Sequence, residues 1–468
     1  MSGKKQGSGG GFSGKLGFVL AAAGSAVGLG NLWRFPRCAA VGGGGLYLVI
    51  YIVLAFTLGI VMLTTDIAVG RSTKKSPLGA YSSIKKGWGF LGVFSFIVPI
   101  IILSYYNVIG GWILKYIVTF VTTGASKAAE DNYFGDFIAS YEPLLYMGIF
   151  LLLNAVIVFL GVNKGIERMS KILMPALLVI IIFIGVYSLF LKHEGADGVV
   201  RTGWDGFKVY VVPDFTGLDF PKLIKIIVDA ISQIFFSLSV AMGIMITYGS
   251  YVKDDVNMNS SVKQIVFFDT LIAFLAGMII IPTVFTFQGR EGLQTAGPGL
   301  VFQALPKIFN AMGPFGIVVG ILFFLMITFA ALTSSVSIFE TITADVMAVT
   351  KKPRHFVTVL VTAAYLILST VICLGYNKLF FDVKLPNGSH GQILDIADFL
   401  SNNVMMPLIA FLSSIFIGWV VGPKYVKAEM EKGGVKYRLY GLYYVMIKFI
   451  VPIVMLILLL QAFGAFSL

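Results

Sequence analysis

Charge is scarce in this 468-residue chain: Asp, Glu, Lys and Arg make up 12% of it, about half the roughly 25% of a soluble domain. Cysteine is nearly absent, at two residues, and histidine stops at three. The first shortage excludes an ordinary water-soluble globule. The second excludes a disulfide-stapled extracellular domain, because Cys38 and Cys373 fall in or beside apolar segments. The third leaves no paired imidazoles for a metal centre: His193, His355 and His390 stand singly in loops or at segment ends. Nothing in the sequence reads as a nucleophile with a positioned base, so no enzyme reading survives.

What the chain has instead is hydrocarbon: 57% hydrophobic residues and a mean hydropathy of +0.89. Apolar runs of about 20 residues, each long enough to cross about 30 Å as a helix, recur throughout. About eleven spans are expected, near 15–37, 43–70, 89–123, 142–161, 168–191, 223–250, 262–287, 315–348, 355–374, 392–421 and 440–465. No cleavable signal precedes the first, which is expected to direct its own insertion. Lysine and arginine crowd the leading tail (Lys4, Lys5, Lys15), the loop after span 2 (Arg71, Lys74, Lys75, Lys85, Lys86) and the loops around Lys351–Arg354 and Lys424–Arg438. Alternate loops are balanced or acidic. That asymmetry predicts a cytoplasmic N-terminus and, after eleven crossings, an extracellular C-terminus. The net charge of +12 is therefore an anchor on the bilayer and implies no nucleic-acid partner. Short tails and loops fit a prokaryotic plasma membrane.

Two patterns mislead. "GGGFSGK" matches G-x-G-x-x-G at Gly9, Gly11 and Gly14, but a polar low-complexity tail stands where a strand is required, and Leu16 replaces the phosphate-loop hydroxyl. Sequons at Asn259 and Asn387 are weak, and Asn259 faces the cytoplasm on this topology.

The informative residues are the polar ones inside hydrocarbon, where they are costly and mark function. Span 1 carries Gly24, Ser25, Gly28, Gly30 and Asn31; span 6 carries Ser232, Gln233, Ser237, Ser239 and Gly243; span 7 has Asp269; span 3 has Tyr105 and Tyr106. In span 8, Ser334, Ser337 and Thr341 make a hydroxyl stripe. Taken singly, each small residue is explained by close helix packing. Their placement says more. Spans 1 and 6 correspond if the chain is two five-span repeats, and interrupted helices at matching positions frame a midplane binding site. Unwound backbone there frees carbonyls for a cation and half-helix N-termini for a carboxylate.

The motifs "GSAVGLGNLWRFP", "GGGGLYLVIY", "QIFFSLSVAMGIMITYGSY", "TAGPGLVFQALP" and "ALTSS", in that order, resemble the neurotransmitter:sodium symporter family and its eleven-span bacterial amino-acid transporters. The resemblance covers about residues 12–465. It implies an all-α polytopic protein with the 5+5 inverted-repeat fold of the bacterial leucine transporter, spans 1 and 6 unwound at the midplane. The segments would be a Gly/Ser-rich tail (1–14), a first repeat (15–191), an extracellular loop (192–222), a second repeat (223–421) and a final loop with span 11 (422–468).

The resemblance also assigns residues. One sodium ion would meet the Ala26 carbonyl, Asn31, Ser237 and Asp269, together with the carboxylate of the cargo. A second would meet the Gly24, Val27 and Ala330 carbonyls and the hydroxyls of Thr333 and Ser334. An amino acid would lie against Ser25, Ala26, Leu29, Gly30, Ile102, Tyr106, Phe236, Ser237, Ser239, Met242, Ser334 and Ile338, its carboxylate on the Gly28–Gly30 backbone and Tyr106. Arg34 and Asp398 would gate the outer vestibule above a Tyr106–Phe236 lid. The pattern departs at the inner gate, where Phe12 replaces tryptophan and a glycine run replaces the arginine; Lys4 or Lys5 is the candidate substitute. Gly165 and Pro175 have the family's spacing for unwinding span 5, though a packed helix also tolerates a proline. The implied activity is uptake of hydrophobic or aromatic amino acids, driven by two sodium ions without chloride, with proton antiport through Asp269 as an extension. A monomer is the expected unit. A proton-coupled or facilitative transporter on the same scaffold is the alternative, while single-copy motifs argue against a symmetric channel.

Overall fold

In the computed structural model, the described residues are 11–465 apart from 196, 296, 387 and 433. Lys4, Lys5, Gly9 and Asn387 lie outside them. Among the described residues nine helices are long and apolar enough to cross a membrane: Gly45–Thr73, Gly89–Thr122, Glu142–Phe159, Val162–Leu189, Met258–Gly292, Pro314–Thr350, Arg354–Leu374, Ile393–Val421 and Tyr440–Ala462. These are spans 2–5 and 7–11. Span 1 is a pair, Lys15–Ala26 and Gly30–Val41, bent by 53°. Span 6 is the second broken element, Phe220–Ser237 followed by Ile244–Ser250. Its first half carries Lys222, Lys225 and Asp229, so it is less apolar than a free-standing span.

The broken pair sits at the centre. Span 1 packs on spans 5, 7 and 8; span 8 runs along span 3; the second half of span 6 lies on span 2. Spans 4, 5 and 9 turn leucine, valine and isoleucine outward, as at Leu145, Val179 and Ile367, the surface expected against lipid. The hydroxyls of span 8 cost little inside hydrocarbon because Thr328, Thr333 and Thr341 bond back to carbonyls four residues earlier, at 2.8–2.9 Å. Both cysteines are free. Short antiparallel strand pairs, Lys192–Glu194 with Val200–Thr202 and Val383–Lys384 with His390–Gly391, decorate the connections.

Span 5 opens as a wider π-helical turn, Val162–Glu167, that contains Gly165 and continues as an α-helix with Pro175 inside it, so its winding is altered at Gly165 but the chain between the two residues stays helical. Gly165 also has a local reason: a Cβ there would stand 2.0 Å from the Ile157 carbonyl oxygen. The basic loops do gather at one end. Arg71, fully buried, reaches Glu429 at 3.3 Å, Asn259 donates to the Met430 carbonyl at 3.1 Å, and Lys15 donates to Ser260 at 2.8 Å. Lys74 pairs with Asp254 at 2.9 Å, and its ammonium holds the Asp254 carboxyl below the usual range.

Candidate functional site

Both breaks fall at the same depth and face each other. The first half of span 1 ends where Val27 turns extended (ψ 97°). In span 6, Leu238–Gly243 leaves the helix, and Ser239, Ala241 and Gly243 adopt left-handed φ of 53°, 62° and 76°. Non-glycine residues are strained there unless neighbours hold them. Two long-range hydrogen bonds do so: Ser239 Oγ donates to the Ser25 carbonyl at 3.0 Å, and the Ala241 N–H donates to buried Asp66 of span 2 at 2.9 Å.

Between the breaks lies a cavity of about 30 Å³. Of the expected cargo residues, Ser25, Ala26, Leu29, Ile102, Tyr106, Phe236, Ser237, Ser239, Met242, Ser334 and Ile338 line it, joined by Gly28, Asn31 and Ile244. Gly30 does not line it; a Cβ there would lie 2.4 Å from the Phe236 ring, so glycine is what lets that ring sit flat on the break. Gln233 locks the same place, donating to the Gly30 carbonyl at 3.2 Å. Tyr106 Oη accepts the Leu29 N–H at 3.4 Å. One end of the cavity is apolar (Ile102, Met242, Ile338), and the other is serine: Ser25 Oγ meets Ser337 Oγ at 2.6 Å and Ser239 Oγ at 3.3 Å.

Two oxygen clusters flank the cavity. Ser334 Oγ lies 3.4, 3.1 and 3.0 Å from the carbonyl oxygens of Gly24, Ser25 and Val27. Thr333 Oγ1 lies 3.1 Å from the Ala330 carbonyl, and its Cβ stands so near Gly24 that an added methyl would come within 3.2 Å. One hydroxyl proton cannot serve three carbonyls. In the other cluster Asp269, fully buried, accepts Asn31 Nδ2 at 2.8 Å, Ser237 Oγ at 3.0 Å and Tyr51 Oη at 3.4 Å. The Asn31 Oδ1 is left buried with no partner.

On the Arg34 side a vestibule of about 120 Å³ is lined by Arg34, Asp229, Ser232, Phe236 and Asn402, among others. Phe236 lines both spaces. No direct ion pair joins Arg34 to Asp398 among the described residues; Asp398 accepts from Asn402 at 2.7 Å, and the Arg34 charge acts on both Asp398 and Asp229. The opposite side is shut. Phe12 is buried against Phe18, Tyr248 and Tyr251 at 5.4–6.3 Å. The Ser13 N–H donates to Glu167 at 2.8 Å, its hydroxyl does likewise, and Lys171 meets the same carboxylate at 2.6 Å. Glu340, fully buried, accepts from Tyr251 at 2.7 Å and pairs with Arg354.

Sequence reasoning passed over Asp66, Glu167, Glu340, Ile244 and the locking role of Gln233. An acid inside a span was the available signal for Asp66 and Glu340.

Two discontinuous helices around a small pocket, with a vestibule on one side and a packed seal on the other, define a membrane carrier of the inverted-repeat kind. Residues 10–134 and 141–467 match the Sodium:neurotransmitter symporter family, and the chain belongs to that family of transporters, which are not enzymes. It is 34% identical over 461 residues to an uncharacterised sodium-dependent transporter of Bacillus subtilis, covering 97% of each chain. It is 30% identical to an uncharacterised sodium-dependent transporter of Methanocaldococcus jannaschii, over 90% of this chain and 84% of that one. Identity to the human sodium- and chloride-dependent GABA transporter 2 is 25%, over 88% and 73% of the two chains. Among solved structures, MhsT in complex with L-phenylalanine superposes with a TM-score of 0.82 at 33% identity, covering 97% of this chain and all of that one.

Proposed function

We propose that this chain is a sodium-coupled symporter that imports hydrophobic or aromatic amino acids by alternating access, with two sodium ions per cycle and no requirement for chloride. The observation that carries the reading is a surplus of oxygen acceptors. The Gly24, Ser25 and Val27 carbonyls share the Ser334 hydroxyl, of which Ser25 also accepts from Ser239, and Asn31 Oδ1 is buried and unsatisfied. Buried acceptors without donors are costly, and a hard cation satisfies several at once. The first sodium then takes Ala26, Asn31, Ser237 and Asp269; the second takes Gly24, Val27, Ala330, Thr333 and Ser334. The Asp269 carboxylate supplies the negative charge that chloride provides elsewhere, and Ala273 one turn on offers no hydroxyl to an anion.

The cargo carboxylate meets the Gly28–Gly30 backbone and Tyr106. Its side chain enters between Ile102, Phe236, Met242 and Ile338, and the serine end accommodates a ring with a polar edge. The neighbour's L-phenylalanine supports this class. At about 30 Å³ the empty cavity holds about two waters, so binding moves Phe236 and flexible Met242 aside. Arg34 with Asp398, and the Tyr106–Phe236 pair, then close the outer side; release follows when the Phe12–Ser13 seal parts. The functional unit is a monomer in a prokaryotic plasma membrane, N-terminus inside, with repeats at 15–191 and 223–421.

The test is uptake of radiolabelled phenylalanine, tyrosine and leucine into proteoliposomes under an imposed sodium gradient. Concentrative uptake that collapses when choline replaces sodium is the expected result. Uptake indifferent to sodium overturns the proposal in favour of a proton-coupled or facilitative carrier.

A further inference from the structure

At the end of the molecule that carries the tail, a surface cavity of about 350 Å³ opens between the start of span 7 and the chain leading into span 11. Its walls include Asn257, Ser260, Lys263, Lys436 and Arg438; three cations face it and no acid does. Lys263, Lys436 and Arg438 are exposed, and among the described residues none has an ion-pair, hydrogen-bond or ring partner. Nearby cations differ. Lys432 pairs with Glu429 at 2.6 Å, Lys74 with Asp254 at 2.9 Å, and Lys427 lies over the Tyr440 ring at 4.9 Å.

Two nearby acids are thus paired with other cations and Glu431 accepts the Tyr437 N–H at 3.2 Å, while Lys263, Lys436 and Arg438 converge on one concavity whose lining holds no acid. Like charges around a cavity repel and focus a positive potential that an anion relieves. Helix Met258–Gly292 begins in the same wall with no acid in its first turn, so its dipole adds to that potential. Just beyond the cavity the surface becomes apolar: Phe267, one turn past Lys263, is 53% exposed, and Val445 of span 11 is 48% exposed. The complementary ligand carries an anionic head and hydrocarbon behind it.

We propose that this cavity binds the phosphate headgroup of an anionic phospholipid, with Lys263, Lys436 and Arg438 as its contacts and an acyl chain over Phe267. The lipid ties the start of span 7 to the segment that leads into span 11, a link the protein itself makes here without any ion pair. This assignment is independent of which amino acid is carried.

Native mass spectrometry of the full chain in neutral detergent, titrated with phosphatidylglycerol or phosphatidylcholine, tests it. The parent is expected to retain phosphatidylglycerol selectively. K263Q/K436Q/R438Q should weaken that binding at least about tenfold, at an unchanged thermal midpoint. The charge-conserving K263R/K436R/R438K and the opposite-end control K192Q/K378Q/K384Q should keep it. Undiminished phosphatidylglycerol binding in the neutralised variant, equal retention of phosphatidylcholine, or loss in the control overturns the proposal. Displacement of the lipid by equimolar inorganic phosphate also overturns it, reassigning the cavity to a soluble anion.

Discussion

Replacing Asp269 by Asn removes a charge and changes almost nothing in shape, so it isolates what the carboxylate does electrically. Its oxygens are held by Asn31 at 2.8 Å, Ser237 at 3.0 Å and Tyr51 at 3.4 Å. The two hydroxyls can rotate to accept from an amide, so the local geometry survives. The lost term is Coulombic. A carboxylate about 4 Å from a sodium ion contributes about 4 kcal/mol at an effective dielectric of about 20. Such contributions vary with context by about a factor of two, so the loss expected is at least about 2 kcal/mol, or about thirtyfold in sodium affinity. Phenylalanine uptake into proteoliposomes, titrated with sodium in chloride or in gluconate, reads this directly. The parent should work equally in both anions. D269N should need about thirtyfold more sodium, and D269N/A273S, which offers a hydroxyl one turn along, should recover in chloride alone. A parent that fails in gluconate, or a D269N variant within threefold of the parent, refutes charge substitution.

Four shorter expectations accompany it. T333A/S334A removes both hydroxyls of the second oxygen cluster and should cut sodium-driven uptake at least about tenfold; uptake at parental sodium affinity would exclude these ligands. Asp66→Ala leaves the left-handed Ala241 N–H buried and unsatisfied, a cost of about 1–3 kcal/mol, so the thermal midpoint in detergent should fall, and an unshifted midpoint argues against the role given to Asp66. Glu167→Ala frees Ser13 and should raise maleimide labelling of a cysteine placed at buried Ala23 of span 1, in a C38S/C373S background, by about fivefold or more; unchanged labelling means that side is sealed by Phe12 and the Glu340 cluster without the Ser13–Glu167 contact. Ser25→Leu fills the serine end of the cavity from a regular helical position and should weaken tyrosine far more than alanine in competition assays, and equal losses for both would place the cargo ring elsewhere.

The break in span 1 was legible because glycine, serine and asparagine displace leucine over about two turns, from Gly24 to Asn31. The order of spans was legible for the same reason at larger scale: runs of about 20 apolar residues have few other uses. The form of the break in span 6 was not. Gly243 announces it, but the left-handed Ser239 and Ala241 depend on Ser25 and Asp66, 214 and 175 residues away in sequence. The seal on the tail side was legible only at Phe12, which the sequence already set at the inner gate. Lys4 and Lys5 attract attention by charge, whereas the closure among the described residues is made by Phe12, by Ser13 on Glu167, and by Glu340 with Tyr251 and Arg354. Each joins elements that only folding brings together. Span 5 shows the converse: its glycine and proline suggested unwinding, but Gly165 answers to the Ile157 carbonyl 2.0 Å from where its Cβ would be.

The carbonyls of Gly24, Ser25 and Val27, all within 3.4 Å of one hydroxyl, have a consequence for handling the protein. Under the proposed assignment of the second sodium ion to these oxygens, a cation would screen dipoles that otherwise repel one another between spans 1 and 8. Purification in sodium rather than potassium or choline would then favour the arrangement that holds these two helices together, so the salt chosen for the first extraction would bias which shape of the carrier reaches the bench.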